Sequence, residues 1–126
     1  MASEGVATET PPVRVTVERI AEPPHIDGQL DDKAWLGIAA LTDFIQLAPQ
    51  PGVAPTARTE LRLAHDGAKL YVAVRAWQRV DTDAITARTL RRDAEAIDGD
   101  DHVTLVLDPR GTGRNGFFFR VNALGA

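Results

Sequence analysis

Hydrophobic and polar positions alternate with a period of two in several stretches of this chain. The stretches between them are rich in residues that break regular structure. "VRVTVER" (13–19) sets valines against polar residues and predicts a first strand with one face buried. "AEPPH" ends it, because Pro23 and Pro24 cannot continue a hydrogen-bonded ladder. "LDDKAWLGIAAL" then predicts a short helix. Asp31 caps it, Asp32 lies near the positive end of its dipole, and Trp35 faces the core. "TDFIQLAPQPG" predicts a short strand or extended arm closed by a Pro/Gly stop.

The strongest pattern is "TELRLAHDGAKLYVAVRAWQ" (59–78), two alternating runs joined at Asp66-Gly67. An Asp-Gly pair between such runs predicts a β-hairpin, because the turn needs residues that tolerate positive φ. On the second run Leu70, Val72, Val74 and Ala76 share one face, and Tyr71, Ala73, Arg75 and Trp77 the other. Trp77 is then expected on the polar face of a central strand. A polar, irregular stretch with room for one helical turn follows. "DDHVTLVLD" (100–108) alternates again, with Val103, Leu105 and Leu107 inward and His102, Thr104 and Val106 outward. "PRGTGRNG" is a loop of turn formers. "FFFRVN" (117–122) places Phe117, Phe119 and Val121 opposite Phe118, Arg120 and Asn122.

Short strands, frequent turns and little helix predict an all-β fold, an antiparallel β-sandwich over residues 13–126. Residues 1–12 are small, polar and end in proline, and are expected to be a disordered lead-in. The chain stops at "NALGA" directly after a strong strand pattern. The expectation is a sandwich truncated at its C-terminus, with some apolar surface left open.

Composition narrows the function. The 126 residues suit one domain, with 44% hydrophobic and 25% charged residues. A net charge of −4 argues against nucleic acid as a partner. Cysteine is absent, which excludes thiol catalysis and disulfide staples. No run approaches the ~20 apolar residues of a membrane helix. The start "MASEGVATETPP" has neither the basic nor the apolar region of a signal peptide.

Three acidic or aromatic features are candidates for chemistry. In "IDGQLDDKAW" (26–35), Asp27-Gly28 reads as a turn, and the spacing lacks the convergent oxygens of a calcium loop. "DAEAIDGDD" (93–101) is denser. It reads as a solvated acidic loop, with Asp98, Asp100 and Asp101 as calcium candidates if it holds a hard cation. A glycosidase needs two facing carboxyls, and no pair can be named from this pattern. Trp77 beside Arg75 suits a sugar, which offers an apolar ring face to stack and hydroxyls to hydrogen-bond, or else lies under another layer.

Together, "IDGQLDDKAW", "TELRLAHDGAKLYVAVRAW", "DDHVTLVLD" and "FFFRVN" follow in an order and spacing that resembles carbohydrate-binding module family 9-like domains, which are DOMON-like β-sandwiches. The resemblance spans residue 26 to the C-terminus. It is nearest to the N-terminal domain of secreted bacterial proteins whose remainder is similar to an outer-membrane β-barrel. It implies a non-catalytic module that binds carbohydrate, in some relatives with structural calcium, serving polysaccharide breakdown by an attached glycoside hydrolase. It also implies a secreted, periplasmic or outer-membrane-associated location. Arg120 and Asn122 match family positions that hydrogen-bond the sugar, with Phe118 on the same strand face. Two positions depart from the family: Asp98 stands where the best binders carry a stacking tryptophan, and Thr104 where they carry a glutamate.

Two functions follow. One is a carbohydrate-binding module whose ligand face comprises Phe118, Thr104, Arg120 and Asn122, with Arg75 and Trp77. The other is an interaction or structural β-sandwich with a decayed sugar site, packing on a partner or a downstream barrel. No cofactor is required by either.

Overall fold

The computed structural model describes residues 13–78 and 85–125, so the expected lead-in over 1–12 lies outside the described residues. The chain divides into two compact units between Trp77 and Gln78. Strands dominate both, with little helix.

The first unit contains β1 (Glu18–Arg19), α1 (Lys33–Leu36), β2 (Thr59–His65) and β3 (Leu70–Ala76), with the strands in the order β1-β2-β3. The Asp-Gly hairpin forms as predicted. β2 and β3 pair antiparallel from Thr59 opposite Ala76 to His65 opposite Leu70. Gly67 takes φ 98°, a conformation that costs glycine little. One Asp66 oxygen accepts the backbone N–H groups of Ala68 and Lys69, both at 2.8 Å, and the other accepts the Tyr71 hydroxyl at 2.7 Å. The Tyr71 ring can therefore be buried with its polar end satisfied.

β1 differs from expectation in length and direction: two residues, paired parallel to Ala64 and His65 of β2. The reason lies on the shared edge of β2. Leu41 exchanges two backbone hydrogen bonds with Leu61, at 2.8 and 3.0 Å, so a longer parallel β1 would run into an occupied position. Leu41 stands just before the arm expected over 42–52, and none of the described strands or bridges includes a residue of that arm. Beyond Leu41 the chain turns back on itself, the Gln46 backbone N–H and side-chain amide donating to the carbonyls of Val53 and Ala54.

The core of the first unit is Ile20, Trp35, Ala64, Tyr71 and Ala73, with Leu30, Ala34 and Ile38 against it. Trp35 is 5% exposed, as its helical position predicts. The sheet face that receives it carries Ala64 and Ala73, whose small side chains make room for the indole. The buried face of β3 is therefore the Tyr71–Ala73 face, while Leu70 and Val72 on the opposite face are exposed. Among the described residues β3 is also an edge strand, not a central one. The short helix forms as a single turn, and its N-cap is Asp32 in place of Asp31.

The second unit contains a 3-10 turn (Glu95–Gly99) where one helical turn was allowed for, then β4 (His102–Leu107) and β5 (Phe117–Asn122) as an antiparallel pair. The register sets Val103, Leu105 and Leu107 opposite Val121, Phe119 and Phe117. This makes one continuous apolar face, yet Phe117 and Phe119 are 66% and 59% exposed. No helix among the described residues is long and apolar enough to cross a membrane.

Candidate functional site

The second face of the β4–β5 hairpin pairs Val106 with Phe118, Thr104 with Arg120 and His102 with Asn122. Arg120 is its organising residue. Its Nε donates to the Thr104 hydroxyl at 3.0 Å, and its Nη1 pairs with the Asp98 carboxylate. Its guanidinium carbon lies 5.8 Å from the centre of the exposed Phe118 ring. Phe118, Thr104 and Arg120 are thus brought together on one surface. Asp98 joins them as an acceptor. The cluster offers a flat apolar ring, a held guanidinium, a hydroxyl and a carboxylate, a set suited to the C–H faces and hydroxyls of a sugar.

Asn122 does not join that surface. It is 6% exposed, and its amide nitrogen donates to the Thr89 carbonyl at 2.7 Å and to Asp100 at 3.0 Å. Its amide oxygen accepts the Leu124 N–H at 3.0 Å. Asp100 also accepts the backbone N–H groups of Arg88 and Thr89 at 3.1 and 2.9 Å. Led by the Thr89 N–H, these bonds outweigh desolvation and lower the Asp100 pKa to about 2. In this structure Asn122 and Asp100 tie β5 to the segment before the 3-10 turn. Asn122, expected at the ligand face, is here part of the unit's interior.

The three calcium candidates have separate partners. Asp98 pairs with Arg120, Asp100 serves the buried network, and Asp101 accepts the Thr86 N–H at 2.7 Å. Among the described residues no three carboxylate or imidazole side chains converge as a metal site would require.

The other two predicted residues lie in the first unit, at the open end of the face that covers Trp35. The Trp77 N–H donates to the Arg58 carbonyl at 2.9 Å, which extends the hairpin ladder by one pair. The Arg58 guanidinium lies 4.7 Å from the Trp77 ring centre and that of Arg75 5.8 Å. Part of the indole surface is therefore already used by cations, which bears on its expected role as a sugar platform. Glu60, buried beside them, binds Arg58 through one oxygen and Arg62 through the other, the latter at 2.9 Å. Burial opposes ionisation of Glu60, but the two arginines prevail and its pKa is lowered. Arg58 was not singled out from sequence. The signal was present in "RTELR", where charges at 58, 60 and 62 keep the period of the strand that follows.

"IDGQLDDKAW" forms the turn its sequence predicts: the Gln29 N–H donates to Asp27 at 2.9 Å, with Gly28 at φ 81°. Gly28, Gln29, Leu30 and Asp31 also line an open cleft of about 440 Å³ with Val74, Arg75 and Ala76 of β3. Asp32, expected to serve the helix dipole, makes no side-chain cap and instead meets His25 Nδ1 at 2.9 Å.

In comparisons with known proteins, no family model, curated protein or solved structure matches this chain.

Proposed function

We propose that this chain is a non-catalytic carbohydrate-binding domain of a secreted bacterial protein, with its ligand face on the β4–β5 hairpin. The observation that carries the reading is the placement of Arg120 between Thr104 and Asp98, beside the exposed Phe118 ring. Phe118 supplies a surface for the apolar face of a sugar. Arg120 donates from N–H groups left over from its two internal partners, and Asp98 retains an oxygen that can accept. A DOMON-like β-sandwich is the fold that belongs to this reading, and each sheet, taken by itself, has the one largely apolar face such a layer needs. Attachment to an enzyme of polysaccharide breakdown and a periplasmic or outer-membrane setting follow from the same resemblance. Titration calorimetry of the domain with neutral mono- and oligosaccharides tests it. Binding heat that disappears in Phe118→Ala and Arg120→Ala is the expected result, and no heat with any sugar overturns it.

A second reading, an interaction domain, is favoured by a different observation. Phe117, Phe119 and Val121 form an apolar strip more than half exposed on the opposite face of the same hairpin. On this reading the Arg120 cluster is structural and the apolar face meets a partner. Loss of partner binding on Phe119→Ser, with Arg120→Ala silent, distinguishes it.

A further inference from the structure

Arg75 stands directly across the ladder from Glu60, the usual arrangement for a cross-strand ion pair. That pair does not form, because the two Glu60 oxygens are taken by Arg58 and Arg62. Arg75 leans to the Trp77 ring, which Arg58 also covers. Among the described residues, no carboxylate lies within ion-pair distance of Arg75. Two guanidinium groups hold the one carboxylate and a third, Arg75, stands across the ladder from it, a local surplus of positive charge on a chain whose net charge is −4.

The same Arg75 lines the cleft of about 440 Å³ opposite the turn at Gly28. Asp31 and Gln29 line it too, and Asp31 makes no ion pair with Arg75. Among the described residues β2 is the one strand paired with β3, so β3 is an edge of its sheet there, and Val74 and Ala76 line the cleft beside Arg75. Arg75 and Asp31 line one small cleft without pairing with each other, so one ligand between them can satisfy both. That ligand needs an anionic end for Arg75 and hydroxyl donors for Asp31. Several hydroxyls would also use Gln29 and the strand edge.

We propose that the Gly28–Asp31 turn and the β3 edge form a binding cleft for a sugar acid, its carboxylate held by Arg75 and its hydroxyls by Asp31 and Gln29. Trp77 and Arg58 position Arg75 by occupying the space beside it and consuming Glu60. The cleft belongs to the first unit and rests on no residue of the β4–β5 hairpin.

The test is calorimetry of the whole chain with D-glucuronate, alongside D-glucose, acetate and glycine, while the Trp77 indole N–H is followed by NMR. Glucuronate is expected to bind and shift that resonance, with glucose and acetate at least about tenfold weaker as read from the same shift. Arg75→Gln is expected to weaken binding about tenfold or more, as loss of a charge-assisted contact would. Arg75→Lys, which keeps the charge without the fork, is expected to fall between, and Asp31→Asn to weaken binding with the fold unchanged by circular dichroism. A Trp77 indole shift produced equally by glucose, or by acetate, overturns the proposal, as does a shift produced at lower concentration by glycine, which would make the ligand an amino acid; glucose heat that leaves this resonance unmoved belongs to the β4–β5 face. Glucuronate binding that is lost in Arg120→Ala and kept in Arg75→Gln also overturns it, while leaving the hairpin reading intact.

Discussion

The Asn122 amide donates to the Asp100 carboxylate at 3.0 Å, deep enough that both residues are more than nine-tenths buried. The pair joins the last strand to a loop 22 residues earlier, and the Thr89 carbonyl is the third corner. A buried polar network of this kind stabilises only when every member is satisfied. Asn122→Ala removes one donor that serves two acceptors, and is expected to destabilise the second unit by about 1–3 kcal/mol. Asn122→Asp should be worse, because it faces one carboxylate with another. Chemical unfolding followed by a probe in the second unit measures both. A ligand-face role for Asn122 would instead give a variant of unchanged stability that had lost only binding.

Two carboxylates make acid sensitivity predictable in sign. Asp66 and Asp100 each fall from the ordinary 3.8 to about 2. For Asp66 the Tyr71 hydroxyl is the chief cause, followed by the Ala68 and Lys69 N–H groups; for Asp100 it is the Thr89 N–H. A group whose pKa is depressed on folding binds fewer protons in the native state. Its stabilising contribution is complete above the unfolded pKa of 3.8 and is lost as pH falls toward 2. The thermal midpoint should therefore drop across that window, and Asp66→Asn should flatten the drop for the first unit. An acid limb identical in the variant would assign the loss to other groups.

Gly116 is required for space. A Cβ there would stand 2.7 Å from the Leu107 carbonyl oxygen, a backbone atom that cannot withdraw without opening the β4–β5 pair. Gly116→Ala is expected to cost about 1–3 kcal/mol, as overpacking does. Gly99 offers the control, since a Cβ there meets nothing within 4 Å. Gly99→Ala should remain within about 0.5 kcal/mol of the parent in the same unfolding experiment.

What could be read from the sequence was local. Asp66-Gly67 specified its hairpin because the turn chemistry and both alternating runs lie within twenty residues. The β4 and β5 faces followed from periodicity in the same way. The strand over 13–19 was largely not realised, since its length depends on whether Leu41 claims Leu61, a contact between distant segments. Which face of β3 is buried was equally hidden: both faces carry apolar residues, and the choice went to the one with alanines beneath Trp35. At the candidate site, the shared face of Thr104, Phe118 and Arg120 was legible from alternation. The inward commitment of Asn122 was not, because it depends on Thr89 and Asp100 arriving from elsewhere in the chain.

His25 and Asp32 give the first unit a second pH dependence, opposite in sign at its upper end. Their side chains meet at 2.9 Å, with His25 almost wholly exposed and Asp32 mostly covered. The Asp32 hydrogen bond raises the His25 pKa above 6.5, aided by the Asp32, Asp27 and Asp31 charges. The same bond lowers that of Asp32 below 3.8. A raised histidine pKa stabilises the folded chain fully below 6.5 and ceases to do so as pH climbs through the folded value. The depressed aspartate acts in the other direction, losing its contribution below 3.8. The pair therefore helps most between those limits and least at alkaline pH. The other Asp32 oxygen is buried without a partner, so removing the imidazole leaves that carboxylate with less compensation for its burial. His25→Ala should lower the thermal midpoint of the first unit at pH 5–6 and converge toward the parent by pH 9. An NMR titration placing the His25 pKa at or below 6.5 would remove the basis for this prediction.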